Sequence, residues 1–457
     1  MQPWNHTLAA FILSGGTRYT EQEFLAHYEV DTLEKVQAVQ QKEFMQVPDM
    51  YSLYTTIDLP VSHIVLAMHE YGVHLDVAML QETRKTLVEK RATFAQRIRD
   101  RLGNINPSSP KQIGDALSTI CKVSLKKTAT GQYSTTNYEL TQLAPTFPVA
   151  QDILDYRAVD KVITTYVDAL LDKVDASNCI HPVYDLTSAA TGRLASSNPN
   201  IQSTPVGPPY GDMIRACFTA RPEMVLIGFD YSQQELRILA HLSHDPKLSD
   251  AFHTGIDVHE ATASWVLKIP EGQVDAAARS IGKTLNFGII YGETPYGLAR
   301  QLGKPVAECA HILKSYYEAY SGIKRYYDNL LTSAKMHGSA TTMCGRRRGI
   351  PGLPYGKPTK YLRPDQERVL KNFPIQGSAA DMTKKAMVSV AQDVLPRYAD
   401  AHLVMQIHDE LIFEFPTKST KRDAFIKDVE QAMKHALPLD VPVVVDHKVG
   451  KNWAQLK

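Results

Sequence analysis

Two aspartates stand at the ends of apolar segments of the sequence. Asp230 follows the apolar run 224–229, and Asp409 follows a second such run at 402–407. Both runs have the composition of buried strands, where an unpaired carboxylate is costly. A turn explains either aspartate alone, but the two together are better explained as ligands of divalent cations. Carboxylates favour magnesium or manganese, and two ions about 3.5–4 Å apart can hold the attacking and leaving oxygens of a phosphoryl transfer.

A second set of chemically active side chains recurs at every fourth position. Arg279, Lys283, Phe287 and Tyr291 have the spacing that puts side chains on one face of a helix. Two cations followed by two aromatic rings suit a nucleotide, with phosphates against the cations and sugar and base against the rings. A face that packs into a core would not normally begin with Arg and Lys. A purely structural role is therefore the weaker interpretation.

Three other motifs have simpler interpretations. Ser232 and Glu235 fit the S/T-x-x-E capping box, so Glu235 could serve only to begin a helix, although its nearness to the first aspartate leaves a second role open. The tripeptide at 282–284 resembles the end of a phosphate-binding loop. Position 277 is Ala where that loop needs Gly, which excludes a P-loop NTPase. The basic run 346–348 taken alone predicts a solvated loop.

Length and composition limit the elements that position these residues. The 457 residues predict about three domains, and 44% apolar with 22% charged residues exclude a disordered chain. Because 50 Lys and Arg balance 49 Asp and Glu, a surface for a polyanion must come from local clustering. Five widely spaced cysteines predict reduced thiols. With neither a signal peptide nor an apolar run that could span a bilayer, the sequence predicts a soluble intracellular protein.

Long helices and a few buried strands are predicted. Before them, the first 60 residues are predicted to end in a proline-bounded turn near Asp58, Leu59 and Pro60. The segment from Gly72 to Gly103 reads as one helix with an apolar stripe. The bases that flank this stripe indicate either a solvated face or a helix that lies along a phosphate backbone. Helical patterns fill most of 234–395, and the strand at 402–407 predicts a hairpin with 411–415.

Taken in order, these segments resemble family A DNA polymerases, the group of bacterial DNA polymerase I. The resemblance is collinear from Tyr71 to Trp453. It rests on TGRL at 191–194 with SSNPNIQ at 196–202 (first palm block), DYSQQELR at 230–237 (motif A), residues 279–292 (motif B), NFPIQG at 372–377 (later palm block) and QIHDE at 406–410 (motif C). It implies an α+β right-hand fold, with an antiparallel palm sheet, helical fingers and a helical thumb.

The resemblance also implies domain limits. It predicts a thumb at 61–173, a palm at 174–253 and 395–457, fingers at 254–394, and at 1–60 a remnant that resembles the end of a 3′–5′ exonuclease domain. Tyr28 and Asp31 look like the last exonuclease motif at compressed spacing. Since 60 residues cannot hold that whole domain, we expect no proofreading by this chain, and no 5′-nuclease domain. Ser203 stands where many members have Asn, which puts a template contact in doubt.

Roles transfer to the positions that match. Asp230, Asp409 and the Tyr231 carbonyl would hold two Mg²⁺ ions, with Mn²⁺ able to substitute. At the triphosphate the resemblance implies Arg279, Lys283 and His259, with Lys283 also neutralising the leaving group. Tyr291 would lie at the templating position, and Phe287 and Glu235 would contact the sugar. Roles at the primer–template DNA fall to Arg193, Gln202, Asn372, Gln376, His408 and Arg368.

The function implied is that of a DNA-directed DNA polymerase, a nucleotidyltransferase of replication or repair that extends a primer with deoxynucleotides. The expected partners are primer–template DNA, dNTPs and a separate exonuclease or processivity protein, with no membrane, for a monomer in the cytoplasm of a bacterial or phage-infected cell. A single-subunit RNA-type polymerase is the first alternative, and Glu235 argues against it. A non-catalytic DNA-binding or processivity factor is the second, and the pair Asp230 and Asp409 argues against that.

Overall fold

The computed structural model describes residues 4–19, 21–30, 32–270 and 272–457. The chain divides into two compact units. The first comprises Met1–Tyr71, Val183–Ser197 and Ile227–Val449, and the second comprises Gly72–Pro182, Asn198–Leu226 and Gly450–Lys457. Among the described residues, none of the helices combines the length and the apolar character that a bilayer crossing requires.

Helices dominate both units. In chain order the α-helices are α1 (His6–Leu13), α2 (Glu21–His27), α3 (Leu33–Met45), α4 (Pro48–Leu53), α5 (Leu59–Tyr71), α6 (Val77–Leu102), α7 (Pro110–Thr119), α8 (Asn137–Leu143), α9 (Pro148–Lys161), α10 (Asp168–Lys173), α11 (Gly211–Ala216), α12 (Gln234–Ser243), α13 (Pro246–Thr254), α14 (Val258–Leu267), α15 (Ala276–Ile290), α16 (Pro295–Leu302), α17 (Val306–Ala319), α18 (Ser321–His337), α19 (Pro364–Ser389) and α20 (Arg422–Lys434). The strands are β1 (Val73–His74), β2 (Cys179–Ile180), β3 (Val183–Asp185), β4 (Ala195–Ser197), β5 (Met224–Tyr231), β6 (Ser339–Thr341), β7 (Arg347–Gly349), β8 (His402–Ile407), β9 (Glu410–Pro416) and β10 (Val445–Gly450).

A four-stranded sheet has the order β10-β5-β9-β8, with Asp230 on β5 and Asp409 in the turn between β8 and β9. Strands β8 and β9 are antiparallel, and Ile407 pairs with Glu410 across a two-residue turn. Phe229 and Phe413 of the sheet pack edge to face against each other and against Phe425 of α20, an arrangement that aromatic rings favour. The predicted buried strands and their hairpin are therefore confirmed.

The N-terminal region departs from the sequence-based expectation. We predicted a proline-bounded turn near Asp58 and Pro60, but the chain is helical from Pro48 to Tyr71, with a π-helical segment at Tyr54–Asp58. A proline is tolerated at this point because it lies near the start of α5, after the π-helical segment. Of the pair predicted as an exonuclease remnant, Tyr28 is buried, and Asp31 lies outside the described residues.

In the second unit the long basic helix is α6. It begins later than predicted, because the Asp76 side chain caps it by accepting from the Met79 N–H at 2.8 Å, and the residues before the cap form β1. Its apolar stripe is buried as predicted, with Leu80 and Leu87 fully enclosed. Several of its bases bind carboxylates of α9 and α10, a third possibility besides the two predicted. These pairs are Arg84–Asp168, Arg91–Asp160 and Arg101–Asp152.

The run 346–348 is not a simple solvated loop, because Arg346 is buried in the first unit. Its guanidinium contacts Asp58 and Asp381, with Nη2–Oδ1 and Nε–Oδ1 distances of 2.9 and 2.8 Å. Lys384 donates to Asp58 at 2.7 Å. We name Asp58, Arg346, Asp381 and Lys384 the buried ion cluster. Burial alone would raise the pKa of Asp58, but Arg346 and Lys384 hold it at about 2. Two cations and two carboxylates therefore neutralise one another in a solvent-free site.

We predict that Asp58→Asn lowers the free energy of unfolding by about 3–5 kcal/mol, because it leaves the two buried cations with one carboxylate. Urea denaturation measures this. The control Asp328→Asn breaks an exposed pair with Lys324 and should change stability by no more than about 0.5 kcal/mol. Because the folded-state pKa of Asp58 is depressed, its contribution is present above an ordinary carboxylate pKa and is lost as pH falls toward 2. Equal stability of the two variants would contradict the role of the cluster.

Helices α14 and α15 touch backbone to backbone at Gly282. A Cβ at this position would overlap the carbonyl oxygen of His259 and lie 3.1 Å from the Ala263 nitrogen. Neither backbone atom can rotate away as a side chain would. Glycine at 282 therefore sets the separation of the two helices.

Gly282→Ala should lower the free energy of unfolding by about 1–3 kcal/mol through overpacking, although alanine favours a helix by about 1 kcal/mol. The matched control is Gly288→Ala in the same helix, where the new Cβ would meet the Glu293 Cβ at 3.2 Å. A shift of a few tenths of an ångström relieves that contact, whereas the overlap at Gly282 is far larger, so the control should lose much less stability. Urea unfolding compares the two, and an unchanged or stabilised Gly282→Ala chain would be the opposing result.

Candidate functional site

Of the two predicted metal-binding aspartates, one lies on β5 and the other in the turn before β9, the strand that neighbours β5. Asp230 is the last residue but one of β5 and is exposed, although the strand before it is buried. Asp409 is half-buried in the turn that leads into β9, the neighbour of β5. The next residue of β5, Tyr231, is buried, and its hydroxyl donates to the Met433 carbonyl oxygen at 2.7 Å. In the same turn His408 is exposed and has a left-handed φ of 58°.

Negative charge gathers at this turn. Burial raises the pKa of Asp409, and the nearby charges of Glu235 and Glu410 raise it further, while a backbone hydrogen bond and Arg193 oppose the rise. A divalent cation would reduce the repulsion between these carboxylates. Proteins usually hold Mg²⁺ with carboxylates that share the ion with phosphate oxygens. The donor set of Asp230 and Asp409 therefore fits a magnesium or manganese ion.

Glu235 does not act as the capping residue of its helix. The N-cap of α12 is Gln233, in a left-handed conformation and without a side-chain cap bond. The Glu235 side chain instead forms an ion pair with Arg193. Burial raises the pKa of Glu235, and Arg193 and the Tyr291 hydroxyl oppose that rise. The capping-box interpretation is thus wrong, and Glu235 belongs to the site.

Tyr291 connects this acidic group to α15. It is the C-cap of that helix, and its hydroxyl interacts with both Glu235 and the Gln376 side chain. Burial raises the pKa of Tyr291, Glu235 raises it further, and Arg193 and Gln376 lower it. Five sequence-predicted residues, each from a different motif, therefore interact at one place: Arg193, Glu235, Tyr291, Gln376 and Asp409.

The other predicted residues of α15 lie on its open face. Arg279 and Lys283 are exposed and Phe287 is half-buried, whereas Leu285 and Ile289 on other faces are buried. The prediction that the four-residue repeat is not a core-facing stripe is confirmed. Arg279 donates from Nε and Nη2 to Asp257 Oδ2 at 2.9 and 2.7 Å. Although burial opposes it, this contact together with two backbone N–H groups lowers the pKa of Asp257.

His259 joins this cationic face from α14. Its ring packs beside Phe287, with centroids 5.8 Å apart, and its Nδ1 lies 3.1 Å from the Asn286 side-chain nitrogen. Sequence reasoning passed over Asn286, which is wholly buried. A polar residue on the buried side of an amphipathic helix is a signal that would have found it, because buried polar groups need partners. Asp257 was likewise missed, although it begins α14 two residues before His259.

Of the six residues predicted to contact DNA, Gln376 and His408 are described above, and the other four fall into three places. Asn372 and Arg368, on α19, meet the end of α15: Asn372 donates to the Ile290 carbonyl at 3.1 Å, and Arg368 lies against Gly292. Arg193 follows Gly192, where a Cβ would overlap the Arg346 guanidinium of the buried ion cluster. Gln202 lies in a turn of the second unit.

Comparison with known proteins agrees with this geometry. The family model described as DNA polymerase family A matches residues 77–455. The DNA polymerase I of Geobacillus stearothermophilus is 36% identical over 409 residues, which cover 89% of this chain and 46% of that protein. The DNA polymerase I of Bacillus subtilis is 37% identical over 413 residues, with 90% and 46% covered. The chain thus spans about half the length of the curated relatives it matches.

A solved structure gives the fold. The POL domain of Pol1 from M. smegmatis, in complex with DNA primer-template and dNTP, superposes with a TM-score of 0.90 at 32% identity, covering 99% of this chain and 82% of that one. The predicted α+β right-hand polymerase fold is confirmed. On the match over residues 77–455 and on these relatives, the chain belongs to DNA polymerase family A.

Proposed function

We propose that this chain is a DNA-directed DNA polymerase that adds deoxynucleotides to a primer 3′ end and releases pyrophosphate. The observation that carries the proposal is the contact of Tyr291 with Glu235, because it joins the acidic strand ends to the cationic and aromatic face of α15. A nucleotide lying along that face would have its phosphates near Arg279 and Lys283. The family membership and the matched structure, whose own title names primer-template and dNTP, support the same reaction.

Asp230 and Asp409, with the Tyr231 carbonyl, are the proposed ligands of divalent cations. Two bound ions would supply a lowered pKa at the primer 3′ hydroxyl and stabilisation of the charge that leaves with pyrophosphate. The protein's own part is to hold Asp230 on β5 and Asp409 in the turn that leads into the neighbouring strand β9. Mn²⁺ should replace Mg²⁺, since both take carboxylate oxygens.

Arg279, Lys283 and His259 are the proposed partners of the triphosphate. Arg279 already lies against Asp257, which orients its guanidinium before any phosphate arrives and reduces the ordering that binding requires. Phe287 and Tyr291 would contact sugar and base, and Glu235, buried and ion-paired, would limit the space beside the sugar. This last role favours deoxynucleotides over ribonucleotides.

We assign Arg193, Gln376, His408, Asn372 and Arg368 to the primer–template end, and Gln202 to a separate contact with the DNA. The exposed bases of α6, among them Lys85, Lys90 and Arg99, suit phosphate contacts. We keep the thumb, palm and fingers limits given above as part of this proposal, with a single chain acting on one primer–template.

Primer extension tests the proposed function. With Mg²⁺, the wild-type chain should extend a primer with dNTPs and release pyrophosphate, and ribonucleotides should be used far less well. Asp409→Asn should abolish extension, because it removes a metal ligand while keeping the size of the side chain, and gel-shift measurement should find DNA affinity retained. Efficient extension with ribonucleotides would favour an RNA-type polymerase. DNA binding by the wild type without pyrophosphate release would favour a non-catalytic factor.

Lys283→Ala should slow nucleotide incorporation by about 10³–10⁵-fold, the range for loss of a key cation at a phosphoryl-transfer site. Single-turnover incorporation by rapid quench measures it. The matched control is Lys314→Ala on α17, which removes an exposed lysine in the same unit and should leave the rate near that of the wild type. A Lys283→Ala rate within a few fold of the control would remove this residue from the triphosphate site.

A further inference from the structure

Asn286 makes hydrogen bonds with two other helices from a position with no solvent exposure. Its Oδ1 accepts from the Tyr316 hydroxyl at 3.2 Å and lies 3.0 Å from Thr262 Oγ1. Its Nδ2 lies 3.4 Å from the Val258 carbonyl oxygen and 3.1 Å from His259 Nδ1. The amide therefore ties α15 to α14 and α17 and meets the imidazole directly.

The Val258 carbonyl fixes the orientation of the Asn286 amide. A carbonyl oxygen can only accept, so the Val258 oxygen requires the amide nitrogen of Asn286, and the hydroxyls face the amide oxygen. The second hydrogen of Nδ2 then points at His259 Nδ1. A ring nitrogen that accepts carries no hydrogen, so a neutral His259 must carry its hydrogen on Nε2.

We propose that Asn286 is a positioning residue that holds His259 as the neutral Nε2–H tautomer, so that Nε2 donates to the phosphates of the incoming nucleotide. The part about phosphates rests on the proposed function, and the part about the tautomer does not. Without Asn286 the ring is free to exchange its hydrogen between the two nitrogens. Only part of the molecules would then carry the hydrogen on Nε2. The donor to the phosphates would be weakened, although the ring would keep its position.

The charges around His259 agree with a neutral ring. Burial lowers its pKa, and Arg279 and Lys283 on α15 lower it further, while Asp257 at the start of α14 opposes them. The Tyr316 hydroxyl, on α17, contacts Asn286, and the hydroxyl of Tyr320, the C-cap of α17, contacts Thr262.

Nitrogen NMR of the ¹⁵N-histidine-labelled chain tests the tautomer directly. Spectra of His259→Gln identify the His259 signals by their loss. In the wild type between pH 6 and 8 we expect an unprotonated Nδ1 and a protonated Nε2. In Asn286→Asp the carboxylate accepts where the amide donated, so Nδ1 should become protonated and the imidazolium should persist to higher pH. A wild-type Nδ1 that carries the hydrogen overturns the proposal even if the variant does not fold.

Thr262→Val is the control for general disturbance of the network. It removes the hydroxyl beside Asn286 Oδ1 and leaves the bond from Nδ2 to His259 intact, so the wild-type tautomer should remain. A tautomer change of equal size in Thr262→Val, or none in Asn286→Asp, contradicts a specific role of the amide.

Steady-state kinetics tests the link to the nucleotide. In Asn286→Asp the KM for dNTP should rise by about tenfold as pH rises through the new imidazolium pKa, because Nε2 then loses its hydrogen. The KM of Thr262→Val should follow the wild-type pH profile. A flat KM in Asn286→Asp with a changed tautomer overturns the phosphate contact alone. Failure of the wild type to incorporate any nucleotide would instead contradict the proposed function and leave the NMR result intact.

Discussion

The repulsion among carboxylates at the turn between β8 and β9 is the constraint on which the site depends. Asp409 is half-buried there, within the influence of Glu235 and Glu410, and burial already disfavours its charge. Arg193 reduces the excess by its ion pair with Glu235. What remains is an acidic turn, and the sheet supplies a further carboxylate, Asp230, on the strand next to β9.

Helix α15 supplies the opposite charge, and its two faces do different work. One face packs so closely against α14 that there is no room for a Cβ at position 282, which is glycine. The open face presents Arg279 and Lys283 to solvent. Because α15 ends at Tyr291, whose hydroxyl meets Glu235, the position of the cations is tied to that of the carboxylates. A site built on a helix and a sheet in this way needs little reorganisation when a charged ligand arrives.

Local pattern predicted much of this arrangement, because periodicity and apolar runs are properties of short segments. The four-residue repeat gave the open face of α15, and the apolar runs gave β5 and the β8–β9 hairpin. The failures needed partners distant in the chain. From its neighbours in the sequence Arg346 is expected to be solvated, but in the fold it is buried against Asp58, which lies 288 positions away. The local sequence around Glu235 fits a helix cap, but in the fold its side chain is ion-paired with Arg193 instead. The bases of α6 find carboxylates on helices whose packing no local pattern reveals.

Counting bound Mn²⁺ by electron paramagnetic resonance tests the central claim most directly. The sample is the chain bound to a primer–template with a dideoxy-terminated primer and the matching dNTP, so that the ligands assemble and no reaction follows. Our account predicts about two ions per wild-type chain and the loss of at least one in Asp230→Asn, with the same amount of DNA bound. Equal Mn²⁺ occupancy in the two chains would contradict it.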